Sequence, residues 1–208
     1  MSTYNDLQIQ VASDLRRSNL PNEVAAAILD AIDDHSIERF YFNETTTYSI
    51  ATVAATDEYA IVDQAPVHNF VMVDWVRALI GNTWVKLRPV TSDEMEYLYA
   101  TPSNGQPAAW ATHADTIRIY PFPDKVYTLR LGGHYRLIPI TGPNDSNSWT
   151  NEAKKLIRYA TLRRLYNYPI RDPNQQQIAE REEIKELEYL RRETDRRNRS
   201  GRMKAYYG

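Results

Sequence analysis

The stretch Tyr127-Thr128-Leu129-Arg130-Leu131-Gly132-Gly133-His134-Tyr135-Arg136-Leu137 decides how the chain is built. Tyr127, Leu129, Leu131, Tyr135 and Leu137 share one parity. Thr128, Arg130, His134 and Arg136 share the other. Alternation sustained over that length predicts a strand with one wet face and one buried face. Gly132-Gly133 in its middle predicts a bulge or bend.

Working back from this strand, the chain keeps a period of two as far as about residue 45. Ile117 and Ile119 alternate with Thr116 and Arg118, and Pro121-Phe122-Pro123-Asp124-Lys125 turns the chain. Pro102-Ser103-Asn104-Gly105-Gln106-Pro107 is another turn cluster. Residues 92–99 read as a short helix, with Thr91 or Ser92 as N-cap and Asp93 and Glu94 in its first turn. Thr83, Val85 and Leu87 alternate with Trp84 and Lys86. Residues 70–79 are apolar enough for a buried strand. Tyr59-Ala60-Ile61 is a short strand that Pro66 ends, and Tyr48, Ile50 and Thr52 alternate with Ser49 and Ala51. The whole reads as a meander of antiparallel strands, local in sequence.

The period changes at Arg39-Phe40-Tyr41-Phe42-Asn43-Glu44. Before it, Tyr4, Leu7, Val11 and Leu15 fall at helical spacing, and Asn19-Leu20-Pro21 breaks that helix. A second helix from about 22 carries Val24, Ile28 and Ile32, with Ala25 and Leu29 beside them. The two form a helical hairpin.

Beyond the strands, Gly142 to Ser148 is a polar loop. Trp149, Ala153, Leu156, Ile157 and Ala160 begin a third helix, with Thr150 as candidate cap and Lys154, Lys155, Arg158, Arg163 and Arg164 on its polar side. Pro169 ends it. Asp172-Pro173-x-Gln175 starts the last helix, with a cap residue and proline at N1. From 174 to 198 its only sizeable apolar residues are Ile178, Ile184, Leu187, Tyr189 and Leu190. That stripe is narrow for a core helix, so the helix is expected to project from the body or to lie across a neighbour. The tail from Arg196 to Gly208 has five positive charges and no acid after Arg197, and by itself it buries too little to fold.

These readings give an α+β chain: a helical bundle body with an inserted antiparallel β region and a long extended C-terminal helix and tail. The segments are 1–44 (N-terminal helical hairpin), 45–140 (β region), 141–170 (third body helix) and 171–208 (helical arm and basic tail).

Charge is uneven along the 208 residues. Residues 1–150 hold 10 Lys+Arg and 18 Asp+Glu, and residues 151–208 hold 15 and 9. An acidic body with a basic C-terminal part points to an arm that meets something acidic: nucleic acid, an acidic protein surface or a neighbouring copy. Cysteine is absent, which removes disulfides, zinc-cysteine sites and thiol nucleophiles. The start, Met1-Ser2-Thr3-Tyr4-Asn5-Asp6, carries no basic-then-apolar leader pattern. A soluble protein made in a cytoplasm is expected, with no membrane partner.

Catalytic patterns are missing as well. The histidines at 35, 68, 113 and 134 stand apart in sequence, and His35 and His134 read as surface residues. There is no Walker A loop, no GxGxxG and no GxSxG elbow. Asp33-Asp34 and Glu182-Glu183 read as solvated helix faces. No enzyme, no cofactor and no metal site are expected.

The order of landmarks carries a resemblance. Two amphipathic helices run into Arg39-Phe40-Tyr41-Phe42-Asn43-Glu44, and Thr52-x-Ala54-x-x-Asp57-x-Tyr59 precedes the apolar strand. Gly105-Gln106-Pro107 is followed by Ile117-x-Ile119-Tyr120-Pro121-x-Pro123-Asp124. The long strand ends in His134-Tyr135-Arg136, and Asn147-Ser148-Trp149-Thr150 opens a helix. Over about 1–168 the chain resembles the head-to-tail adaptor (head completion, portal-bound connector) proteins of short-tailed bacteriophages. The resemblance implies a structural virion protein at the head-tail interface, assembled in the host cytoplasm. Such adaptors form a ring, commonly of twelve copies, beneath the portal protein. They extend the DNA channel, which DNA traverses without sequence-specific binding, and provide the attachment surface for the tail (nozzle or tube) protein.

On this reading the arm grips the portal. Arg192, Arg196, Arg197, Arg199, Arg202, Lys204, Tyr206 and Tyr207 are its candidate contact residues. The loops at 101–110 and 121–125 are candidates for tail-side or inter-subunit contacts. Two other readings stand beside it: a tail-tube or gatekeeper ring protein of the same machine, and a nucleic-acid-binding protein that uses the basic tail.

Overall fold

The computed structural model describes residues 1–64, 67–113 and 115–199. In chain order the elements open with helices α1 (Tyr4–Leu15) and α2 (Pro21–His35). Strands β1 (Glu44–Ala51), β2 (Glu58–Ala60), β3 (Val62–Gln64), β4 (Val67–Ile80), β5 (Thr83–Lys86) and β6 (Arg88–Pro89) follow. After helix α3 (Ser92–Tyr99) come β7 (Asn104–Gly105), β8 (Ala109–His113), β9 (Thr116–Tyr120), β10 (Phe122–Pro123) and β11 (Thr128–Leu137). The chain then forms the short helix α4 (Ser148–Asn151), α5 (Lys154–Leu165), one irregular turn over Tyr166–Ile170, and α6 (Pro173–Arg199). The α+β class and the long last helix are as the sequence predicts. The chain gathers into two units, Met1–Asn43 with Leu137–Gly208, and Glu44–Arg136.

In the β unit the pairing is not a local meander. One sheet runs β1-β11-β4-β3, with β5 also on β4, and a second runs β2-β9-β8-β6. β7 and β10 form a small parallel pair. β1 thus pairs with a strand more than seventy residues later, Ile50 opposite Leu129. The β6–β8 ladder is also parallel.

Gly132 and Gly133 explain part of this. Gly133 stays in the ladder opposite Thr45, and the irregularity falls instead on β1 between Thr45 and Tyr48. What the glycines supply is room. A Cβ on Gly133 would lie 2.0 Å from the Met72 carbonyl oxygen, and one on Gly132 would lie 2.2 Å from the Trp75 ring. Close approach of the β4 backbone therefore needs glycine at 133, and the Trp75 ring fills the space over Gly132.

β4 is only partly buried where burial on both faces is expected, and its buried residues do not keep one parity. Val73, Val76 and Ala78 are buried, while Met72 is 57% exposed and Arg77 lies on the surface. The β4–β5 hairpin closes at Gly81, whose φ of +60° suits a two-residue turn. Thr91 caps α3, its hydroxyl accepting the Glu94 N–H at 3.1 Å.

In the helical unit, α1 buries Tyr4, Leu7, Val11 and Leu15, the predicted stripe. α2 buries Val24, Ala27, Ile28, Ala31 and His35, so its inner face is rotated from the predicted one and Leu29 stays partly exposed. Before α5, the cap is Asn147 and not Thr150. The Asn147 side chain accepts the Trp149 N–H, and the Thr150 hydroxyl accepts the Asn147 N–H in a reciprocal capping box. Leu156, Ile157 and Ala160 of α5 are buried.

The basic residues of α5 are tie points. The Arg158 guanidinium donates to both Asp14 oxygens, from Nε at 2.5 Å and from Nη2 at 2.7 Å. Arg164 pairs with Asp34. Arg163 reaches Glu183 of α6.

Candidate functional site

The residues proposed for contact lie on α6 and its extension. The expectation that this helix projects is corrected: α6 packs on α5 of its own unit. Its inner face is Ala179, Glu183, Leu190 and Thr194, all buried, with Leu187 half-buried among them. These positions recur at three- and four-residue steps and make a stripe along one helix side. The stripe went unseen because only two of its members are large and apolar. Ile178, Ile184 and Tyr189, three of the five sizeable apolar residues, are instead at least half exposed.

Two clamps hold the helix. The first is Glu183, which reads in sequence as one of a solvated acidic pair but is 8% exposed. It accepts the Arg163 Nε–H at 2.5 Å and lies 3.4 Å from His35 Nε2. Burial pushes its carboxyl up, but the His35 ring beside it and the Arg163 hydrogen bond outweigh that and hold it below the ordinary range. His35 is accordingly buried at 8% and not a surface residue. His134 of β11 is likewise buried, at 7%.

The second clamp centres on Tyr41. Its backbone N–H donates to the Thr194 hydroxyl at 3.1 Å, and that hydroxyl donates to the Leu190 carbonyl at 2.8 Å. The Tyr41 hydroxyl donates to Glu152 at 2.7 Å. Desolvation, with Glu152 alongside, pushes the phenol up to about 12. The Arg197 guanidinium lies 3.6 Å from the Tyr41 ring centroid. Phe42 meets the Tyr41 ring edge-on and itself packs with Phe40 and Trp149. Arg191 adds an ion pair to Glu38 at 2.6 Å. In the sequence, 39–44 marks a change of period and is a landmark of the resemblance, with no contact assigned to it. The clue to more was three aromatic side chains in succession, Phe40-Tyr41-Phe42, soon after a helix end.

The outer face is a row of paired charges. Arg192 is 80% exposed and pairs with Glu188 at 3.0 Å. Arg196 pairs with Glu193 at 2.6 Å, and Arg197 shares that carboxylate at 2.8 Å. The two guanidiniums bring the Glu193 carboxyl down to about 2. So among the candidate contact residues, Arg192 and Arg196 face outward, while Arg197 is turned onto Tyr41. The Arg199 side chain and Arg202, Lys204, Tyr206 and Tyr207 lie outside the described residues.

Among the described residues, clefts open in this unit, one of about 420 Å³ lined by Asp14, Arg16, Tyr166 and Asp172 among others. Another of about 370 Å³ lies between α1 and α2, lined by Ile9, Ala12, Pro21 and Val24 among others. A further one of about 350 Å³ lies between the start of α5 and α6, lined by Lys154, Lys155, Glu186 and Tyr189 among others. Among the described residues no group of three or more His, Asp or Glu side chains could hold a metal ion. No helix among them is long and apolar enough to cross a membrane.

A family model described as SU10 adaptor protein matches residues 2–204. The chain belongs to this adaptor family. The match bears out the resemblance to phage head-to-tail adaptors. It also reaches past the 1–168 covered by the sequence landmarks, through α6, so the arm is part of the adaptor sequence and not an appendage to it. No curated protein matches the chain.

Proposed function

We propose that this phage adaptor is a structural, non-enzymatic virion protein that forms a ring, of twelve copies, beneath the portal. The ring extends the DNA channel, which DNA traverses without sequence-specific binding, and presents the surface to which the tail protein attaches. The observation that carries the reading is the family match over 2–204, which includes the arm. Assembly takes place in the host cytoplasm, and the finished protein sits at the head-tail interface of the virion.

The arm is the portal contact in this reading. The outward row of α6, with Arg192, Arg196 and the exposed Ile184 and Tyr189, is presented while the inner face is held by Glu183 and Tyr41. Arg199, Arg202, Lys204, Tyr206 and Tyr207 extend it. A charged face that is already internally paired binds through shape and exchange of partners more than through net charge. The loops at 101–110 and 121–125 are assigned to tail-side or inter-subunit contacts. Ring closure by a repeated heterologous contact needs two different surfaces on each copy.

The deciding experiment is electron microscopy of the chain mixed with the portal. A ring stacked on the portal is expected, and its absence under assembly conditions would overturn the reading. Deleting 196–208 leaves Ala179, Glu183, Leu190 and Thr194 in place, so the body should stay folded while co-sedimentation with portal rings weakens. Undiminished co-sedimentation would remove the arm from the contact.

A further inference from the structure

The β unit carries a charged surface of its own. Residues 44–136 hold 7 Lys+Arg and 10 Asp+Glu, so the unit as a whole is acidic. Most of its cations are neutralised or engaged. Arg88 pairs with Glu94, Arg118 with Glu96 and Asp57, and Lys125 sits over Tyr127. Arg136 is also engaged. Arg77, Lys86 and Arg130 differ: none has a carboxylate partner among the described residues.

These three share one face of the first sheet. Arg77 and Lys86 are direct cross-strand partners in the β4–β5 ladder. Two like charges set opposite each other cost stability, so folding alone does not favour the pair. Trp75 lies two residues before Arg77, and Trp84 two residues before Lys86. The Arg77 guanidinium lies 4.9 Å from the Trp75 ring centroid, and that of Arg130 lies 4.3 Å from the Trp84 centroid. The Arg130 Nε is buried without a hydrogen-bond partner. Ser49, opposite Arg130 in the β1–β11 ladder, and Thr128 add exposed hydroxyls on the same side.

We propose that this sheet face is a nucleic-acid contact surface that takes the phosphate backbone, with Arg77, Lys86 and Arg130 as its cations and Trp75 and Trp84 as its platform. A guanidinium laid on an indole is already ordered, and its outer N–H groups form the fork that matches a phosphate. Serine and threonine hydroxyls are common donors to phosphate oxygens and carry no sequence information. Basic residues interleaved with aromatics on an open surface are the composition of sequence-independent nucleic-acid sites. An acidic protein surface would satisfy the charge, but it gives no reason for the hydroxyls or for guanidiniums held over tryptophan rings. The inference does not depend on portal binding.

The test is binding of the full chain to a labelled duplex of about 30 base pairs and to a single strand of the same length, with salt varied between about 50 and 200 mM. Three proteins are compared: the natural sequence, Arg77→Ala/Lys86→Ala, and Arg202→Ala/Lys204→Ala in the tail. Arg77 and Lys86 are exposed, so thermal melting should show the first variant folded. It should bind at least about ten-fold more weakly at low salt, and the slope of log affinity on log salt should fall by roughly two. Arg130→Gln, read separately, should weaken binding in the same direction. Unchanged binding of the folded sheet variant would overturn the proposal, as would loss confined to the tail variant. So would a natural chain that binds neither probe while Arg77→Glu disrupts its association with another protein.

Discussion

The Glu183 carboxylate of α6 accepts the Arg163 Nε–H of α5 at 2.5 Å and sits 3.4 Å from His35 Nε2 of α2. One acid from the last helix thus joins three helices of the unit. Its own side chain is 11% exposed, while that of Arg163 is 31% exposed. Removing one member of such a pair leaves the other charge buried and uncompensated, at about 3–5 kcal/mol for a fully buried pair. Because Arg163 keeps some water, Glu183→Ala should cost about 2–3 kcal/mol in chemical denaturation. A loss below about 0.5 kcal/mol would show that the clamp does not hold α6.

The same carboxylate makes stability depend on acid. Its folded pKa lies below the ordinary value. A depressed carboxyl contributes stability that is present above the unfolded value, roughly 4.3, and is lost as pH falls through the lower folded value. Asp6, Asp145 and Glu193 are also held low, so acid weakens the native chain by several routes. The informative quantity is the difference between the natural protein and Glu183→Gln. It should be present near pH 5 and shrink as pH falls below the unfolded value of roughly 4.3. A difference that stays constant down to about pH 3 would contradict the assignment.

How far the sequence discloses all this depends on what each element buries. α1 was legible because Tyr4, Leu7, Val11 and Leu15 are large, apolar and evenly spaced. β11 was legible because its alternation is long. α6 was misread as projecting because its inner stripe is alanine, glutamate, leucine and threonine, and a search for large apolar residues passes over three of them. His35 and Glu183 were misread as solvated because a polar residue's burial depends on a partner far away in sequence. The strand order was not legible, since period-two alternation fixes which face is buried and says nothing about which strand lies alongside.

Gly133 offers a direct check on that strand order. A Cβ there would meet the Met72 carbonyl oxygen at 2.0 Å and backbone carbons of Met72 and Val73 at 3.0 Å. Backbone cannot swing aside as a side chain can, so Gly133→Ala should cost about 2–4 kcal/mol or prevent the β unit from folding. Gly81→Ala is the contrast. It has open space around it but a φ of +60°, and should cost only about 1–2 kcal/mol. Equal, small effects at both positions, measured by thermal unfolding, would mean that β4 does not approach β11 as described.

The end of the arm is held separately from its middle, and hydrogen exchange can distinguish the two. Arg197 lies over Tyr41, whose N–H reaches Thr194, one turn before Arg197. The Glu183 clamp sits about three turns nearer the start of the helix. A cation over an aromatic ring at a partly exposed site contributes about 1 kcal/mol. Local opening at a helix end is governed by such contacts and not by global stability. Arg197→Ala should therefore raise exchange of the amides at 190–198 about five-fold and leave those at 176–186 unchanged. Tyr41→Ala, which also removes the ring's contact with Phe42, should give a larger rise over the same residues. Faster exchange spread evenly along 176–198 would mean that the helix docks as one piece and that Tyr41 does not hold its end.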